Sequence, residues 1–132
     1  EHLDASLLLM QELGFLDTMD PRYLGTVAAV ERFLLKEGYL LRYHAADDFG
    51  VPEVAFTICS FWYVDALNAT GRQEAARDLF EKLLERRNHV GLLSEDLDPV
   101  TGELWGNFPQ TYSLVGIIQS APRLSRSWED WG

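Results

Sequence analysis

Cysteine occurs once in these 132 residues, at Cys59. A lone thiol excludes an internal disulfide and fits a reducing compartment, so a cytoplasmic location is expected. Long apolar runs are missing too. None approaches the roughly 18 residues of a membrane span, and no signal peptide is visible. Basic residues are few, 11 against 21 acidic ones, for a formal net charge of -10. The acids are spread along the chain rather than massed in a tail. That balance argues against nucleic acid and anionic membrane as partners. His2, His44 and His89 show no metal-ligand spacing, and Asp96, Asp98 and Gly102 miss the spacing of a calcium loop, which Pro99 also interrupts. No metal is expected. Neither a glycine-rich phosphate loop nor a nucleophile elbow is present, and nothing in the chain asks for a cofactor.

Apolar side chains, by contrast, make up 47% of the chain, enough for one domain with a real core. Five segments read as helices, and they differ in kind. Leu3–Leu13 carries few charges. The second runs from Asp20, a plausible N-cap with Pro21 behind it, to about Lys36, with Leu24, Val27, Ala28, Phe33 and Leu34 on one side. Glu53–Ala69 is apolar nearly all round. Gln73–Arg87 is two-faced, with Ala76, Leu79, Phe80 and Leu83 opposite a charged side. Pro109–Leu124 is again apolar on most sides. All-round apolar helices are buried and two-faced ones lie at a surface. The order is therefore buried, surface, buried, surface, buried, as two concentric layers of helices would produce. An all-α fold follows. The chain begins at Glu1, without Met and inside an amphipathic pattern, so an excerpt of a longer protein is expected.

Links from buried to surface helices are short, as at Thr70-Gly71-Arg72, whereas the surface-to-buried links, Glu37 to Pro52 and Asn88 to Phe108, are long. In stacked antiparallel helix pairs such links emerge at one end, so both long loops should gather at one face. Loops above about 12–15 residues are uncommon in a compact domain and usually functional. Together these two offer carboxylates, an Arg, a Trp, Tyr and amides, the inventory of a sugar site: aromatic faces pack on pyranose C–H faces while planar polar groups bond the hydroxyls. Surface loops are commonly acidic without such a role. Glu95 follows the apolar pair Leu92-Leu93 and sits between Ser94 and Asp96. It reads either as a partly buried carboxylate held to take a proton from water or as an exposed loop acid. Pro99-Val100-Thr101-Gly102 reads as a turn, and Cys59 and Trp62 as core.

The run Gly91-Leu-Leu-Ser-Glu-Asp-Leu-Asp-Pro-Val-Thr-Gly-Glu-Leu-Trp-Gly-Asn-Phe-Pro-Gln-Thr-Tyr-Ser resembles the C-terminal signature of glycoside hydrolase family 15, which includes glucoamylases, glucodextranases and bacterial trehalases. Ala55-Phe-Thr-Ile-Cys-Ser-Phe-Trp-Tyr-Val-Asp-Ala-Leu is similar to the inner helix that precedes it. The resemblance implies an (α/α)6 toroid of inner and outer helices, of which this chain is a C-terminal part. It implies inverting hydrolysis of α-glucosidic bonds, with Glu95 as the general base and the general acid in a more N-terminal motif that these residues lack. It also places Arg42, Glu53 and Trp105 along the sugar-binding rim. The partners so implied are an α-glucoside or α-glucan substrate and the N-terminal half of the toroid. Without that half, exposed apolar faces favour self-association, and a chain with one carboxylate of the pair should not hydrolyse its substrate. A non-catalytic carbohydrate-binding module and a helical interaction domain are the alternative readings.

Overall fold

The computed structural model describes residues 3–46, 48 and 50–125; His2, and Asp47 and Phe49 of the first long loop, lie outside them. Helix α1 spans Pro21–Leu34 and starts as its sequence indicates, with the Asp20 side chain accepting the Arg22 N–H at 2.8 Å and proline in the first turn. Its buried stripe is Tyr23, Val27, Val30 and Leu34. That corrects the expected face, because Ala28 is exposed and Phe33 is 58% exposed. Spacings of four, three and four keep a 3.6-residue repeat on one side, and positions 28 and 33 fall off it. The helix stops two residues earlier than expected. Leu35–Lys36 (β1) turns back through Glu37 and Gly38, both at positive φ, to pair with Tyr39–Leu40 (β2).

The expected first helix is a shorter 3₁₀ segment, Ala5–Met10, capped by Asp4. Its buried residues, Ala5 and Leu8, are three apart, and three residues per turn is what aligns them. Tyr23 of α1 donates its hydroxyl to the Leu8 carbonyl at 2.9 Å.

Helix α2, Thr57–Ala69, is buried at every position from Thr57 to Leu67, including Cys59 and Trp62. It begins four residues later than expected because Ala55–Phe56 (β3) is drawn into a small sheet. Helix α3, Gln73–Leu84, buries only Ala76, Leu79 and Leu83. The next strands, Asp96–Leu97 (β4) and Leu104–Trp105 (β5), precede helix α4, Thr111–Leu124. The 3₁₀ segment, α2 and α4 form an inner row through their packing on α2, while α1 lies outside the first and α3 outside α2 and α4. Inner and outer helices thus alternate along the chain as part of a helical toroid.

Helix α4 is less enclosed than its apolar sequence implies. Only Ser113, Gly116 and Ser120 are buried, while Tyr112 and Ile118 are 47% and 69% exposed. Its small-residue face is pressed against α2, Tyr112 meets Trp62 edge-on at 6.1 Å, and Ile118 stands open to solvent.

The two long loops do gather at one face. β3 pairs antiparallel with β4, and β4 with β5, so the loop before α2 and the loop before α4 share one three-stranded sheet. Asp98 closes the β4–β5 turn, its side chain accepting from the Val100 and Thr101 N–H groups. The stretch 99–102 is the turn its Pro and Gly indicate.

Candidate active site

Glu95 stands one residue ahead of β4 and is held from three directions. The Thr57 N–H at the start of α2 donates to its carbonyl at 2.9 Å, and its own N–H donates to the Asn107 carbonyl at 2.9 Å. From α4, the Ser113 hydroxyl donates to the Ser94 carbonyl at 2.8 Å, beside Gln110 N–H to Leu93 at 3.0 Å. The backbone under Glu95 is therefore tied to both inner helices.

Its side chain is fixed as well. Oε2 accepts from Asn107 twice, from the backbone N–H at 3.2 Å and from Nδ2 at 2.7 Å. The register explains the pairing: Asp96 faces Trp105 across the ladder, which sets Gly106 opposite Glu95 and brings Asn107 alongside. Gly106 has φ +75°, and a Cβ there would lie 2.8 Å from Asp96 Oδ2 and 3.1 Å from Glu95 Oε2. Two carboxyl groups thus sit side by side over one glycine. Burial, and then the charge of Glu95, push the Asp96 carboxyl up to about 6.

Glu95 and Asp96 border a cavity of about 340 Å³ whose other walls include Arg42, Tyr43, Val54 and Phe56. The Arg42 guanidinium lies 5.9 Å from the centre of the Phe56 ring and 3.4 Å from Asp4. A neighbouring cavity of about 670 Å³ shares Tyr43, Val54 and Asp96 and adds Glu53. Arg42, Glu53 and Glu95 therefore converge on one recess, around Tyr43 and Asp96. Trp105 does not join them. It is 53% exposed on β5, opposite Asp96 in the ladder and outside both cavities. A third cavity, of about 580 Å³, is lined largely by Leu3, Leu7, Phe33 and Leu34; it holds no carboxylate, and His44 is the titratable group on its wall.

Sequence reasoning assigned none of Asn107, Asp96 and Gly106 to this site, and weighed Asp96 only as a calcium-loop acid. The signal was present: once Pro99–Gly102 is read as a hairpin turn, counting back along both arms sets Glu95 beside Gly106 and Asn107.

Alternating inner and outer helices, with an acid-bearing loop cluster at one end, are the layout of part of a helical toroid. The chain belongs to Glycosyl hydrolases family 15, which matches residues 1–122. It is similar to a trehalase of Thermoplasma acidophilum, 42% identical over 97% of this chain and 22% of the relative. A trehalase of Mycobacterium tuberculosis is 40% identical over 98% of this chain and 20% of its own length. "Trehalase 1" of Sulfolobus acidocaldarius is 31% identical over 88% of this chain and 21% of its own. The chain spans about a fifth of the length of the curated relatives it matches. No solved structure matches it.

Proposed function

We propose that this chain supplies the general base of an inverting glycoside hydrolase that splits α-glucosidic bonds, with Glu95 as the base and trehalose as the foremost substrate. The observation that carries the reading is the Asn107 clamp. It pins Glu95 Oε2 beside a cavity lined by Arg42 and Tyr43 and leaves Oε1 to accept a proton. In this mechanism a water attacks the anomeric carbon from the side opposite the leaving oxygen, and Glu95 takes its proton as the C–O bond breaks. The leaving oxygen needs a proton from a second carboxyl roughly 6.5–9.5 Å away. Asp96 is not that acid: it lies beside Glu95 over Gly106 rather than across a bond from it.

The acid then belongs to another part of a larger toroid, of which these residues form the C-terminal portion. The share of the trehalase relatives that the chain covers supports this, as do the exposed Tyr112 and Ile118 of α4. Alone, the chain is inactive. Arg42 and Glu53 bond sugar hydroxyls in the recess, and Trp105 offers a stacking face at its outer rim. A cytoplasmic location is part of the same proposal, since a lone cysteine forms no internal disulfide.

The test is turnover of trehalose, maltose and a longer α-glucan by the full-length parent, wild type beside Glu95→Gln. Loss of about 10²–10⁴ in rate is expected, the scale of acid–base help. Near-normal turnover in the mutant sinks the assignment. Binding without turnover by the wild type selects a carbohydrate-binding module instead.

A further inference from the structure

Asp96 is the one carboxylate among the described residues that lines both sugar-sized cavities, and the role given to Glu95 does not use it. We propose that Asp96 is a positioning residue for Glu95, its carboxyl seated over Gly106 so that the Glu95 carboxylate stays turned to Asn107 and the Arg42 cavity. This rests on the reading of Glu95 as the base.

Three observations lead there. Asp96 Oδ2 and Glu95 Oε2 both crowd the place of a Gly106 side chain, so a glycine at positive φ is what leaves room for the two carboxyls together. The ladder fixes Asp96 between Phe56 and Trp105, which limits where its short side chain can go. The same neighbours withdraw it from water, and that is the first cause of its raised proton affinity; the charge of Glu95 is the second.

The charges around Asp96 are unequal. Glu95 lies next to it, Glu53 and Arg42 line the cavities it borders, and Glu103 stands just ahead of β5. The Tyr43 phenol shares both cavities, and the Cys59 thiol of α2 lies within its electrostatic reach. Below about 6, Asp96 is neutral and adds no second charge beside Glu95. Above that value two carboxylates face one another over Gly106, and their repulsion works against the Asn107 clamp. The sign follows. Turnover falls as pH rises through the Asp96 value, and an amide in its place removes that fall.

The experiment uses the full-length parent with trehalose, recording kcat and KM from pH 4.5 to 8 for wild type, Asp96→Asn, Asp96→Ala and Glu95→Gln. Asp96→Asn keeps the shape of the neutral acid. It should shift the alkaline fall of kcat to higher pH. Asp96→Ala removes the prop and should lower kcat by about tenfold or more with little change in KM, since a small displacement of a catalytic group is that costly. A wild-type pH profile in Asp96→Asn overturns the inference. So does an Asp96→Ala effect confined to KM, which marks a direct sugar contact. If Glu95→Gln turns over normally, the base assignment and this inference fall together. If Glu95→Gln is crippled while Asp96→Asn keeps the wild-type profile, this inference alone fails.

Discussion

Replacing Gly116 by alanine places a methyl group on Phe61 where α4 crosses α2. The new Cβ meets the Phe61 ring and comes within 2.9 Å of Phe61 Cβ. Contact that close to the backbone is not relieved by turning the ring. Phe61 is 1% exposed and packs edge-on against Phe80 at 6.1 Å, so it has nowhere to retreat. Overpacking of this kind costs about 1–3 kcal/mol, and the better helix propensity of alanine returns about 1 kcal/mol. With the clash reaching Cβ, a net loss of about 1–2 kcal/mol is expected. Gly25, on the exposed side of α1, has nothing within 4 Å of its would-be Cβ, so Gly25→Ala should instead stabilise by about 0.5–1 kcal/mol. Denaturant unfolding of the full-length protein, with both variants in parallel, reads the contrast. A Gly116→Ala protein as stable as Gly25→Ala refutes the packing argument. The clash also bears on chemistry: α4 carries the Ser113 hydroxyl that holds the Ser94 carbonyl, so a displaced helix pulls on the backbone beneath Glu95.

Asn107→Ala removes the side-chain clamp on Glu95 and should lower kcat about 10–100-fold with KM nearly unchanged, checked by steady-state kinetics. Arg123 of α4 bridges Asp65 of α2 and Glu12, and the Asp65 side chain is only 8% exposed. Arg123→Met leaves that carboxylate without its cation, and stability should drop by about 2 kcal/mol, below the fully buried case because Arg123 itself is partly exposed. Burial already raises the proton affinity of Asp65, so its contribution is fullest at low pH and is lost as it ionises; the penalty measured by thermal unfolding should be larger at pH 8 than at pH 5. The isolated 132-residue chain presents Phe108, Tyr112 and Ile118, each about half exposed or more, and should self-associate in sedimentation velocity. A concentration-independent monomer contradicts that.

Much of this fold was legible because α2 and α3 differ so plainly in pattern. Apolar residues around the whole of Thr57–Leu67 demand enclosure, and the single stripe Ala76, Leu79, Leu83 permits a surface. Asp20-Pro21 likewise announces its helix start. What failed has physical causes. The run Leu7-Leu8-Leu9-Met10 has no 3.6-residue stripe, so nothing in it distinguishes an α-helix from a 3₁₀ turn. The start of α2 was misplaced because β3 pairs with a strand some forty residues away, and two-residue strands leave no alternation to read. At the site, Glu95 stood out by its neighbours, whereas Asn107 and Gly106 matter only through a hairpin register that has to be counted. Trp105 lies outside the cavities although it faces Asp96 across the ladder, because β5 is the edge strand and leaves the indole half exposed.

Activation of a water by Glu95, as proposed, fixes which anomers hydrolysis releases. Trehalose holds two glucosyl units by one α,α linkage, so inverting attack on one unit releases β-glucose while the other departs as α-glucose. Proton NMR of the first products from the full-length protein, recorded faster than mutarotation, should show the two anomers in equal amounts. In Glu95→Gln both signals should fade together. α-Glucose alone from the wild type, or an unchanged rate in the mutant, would contradict the account.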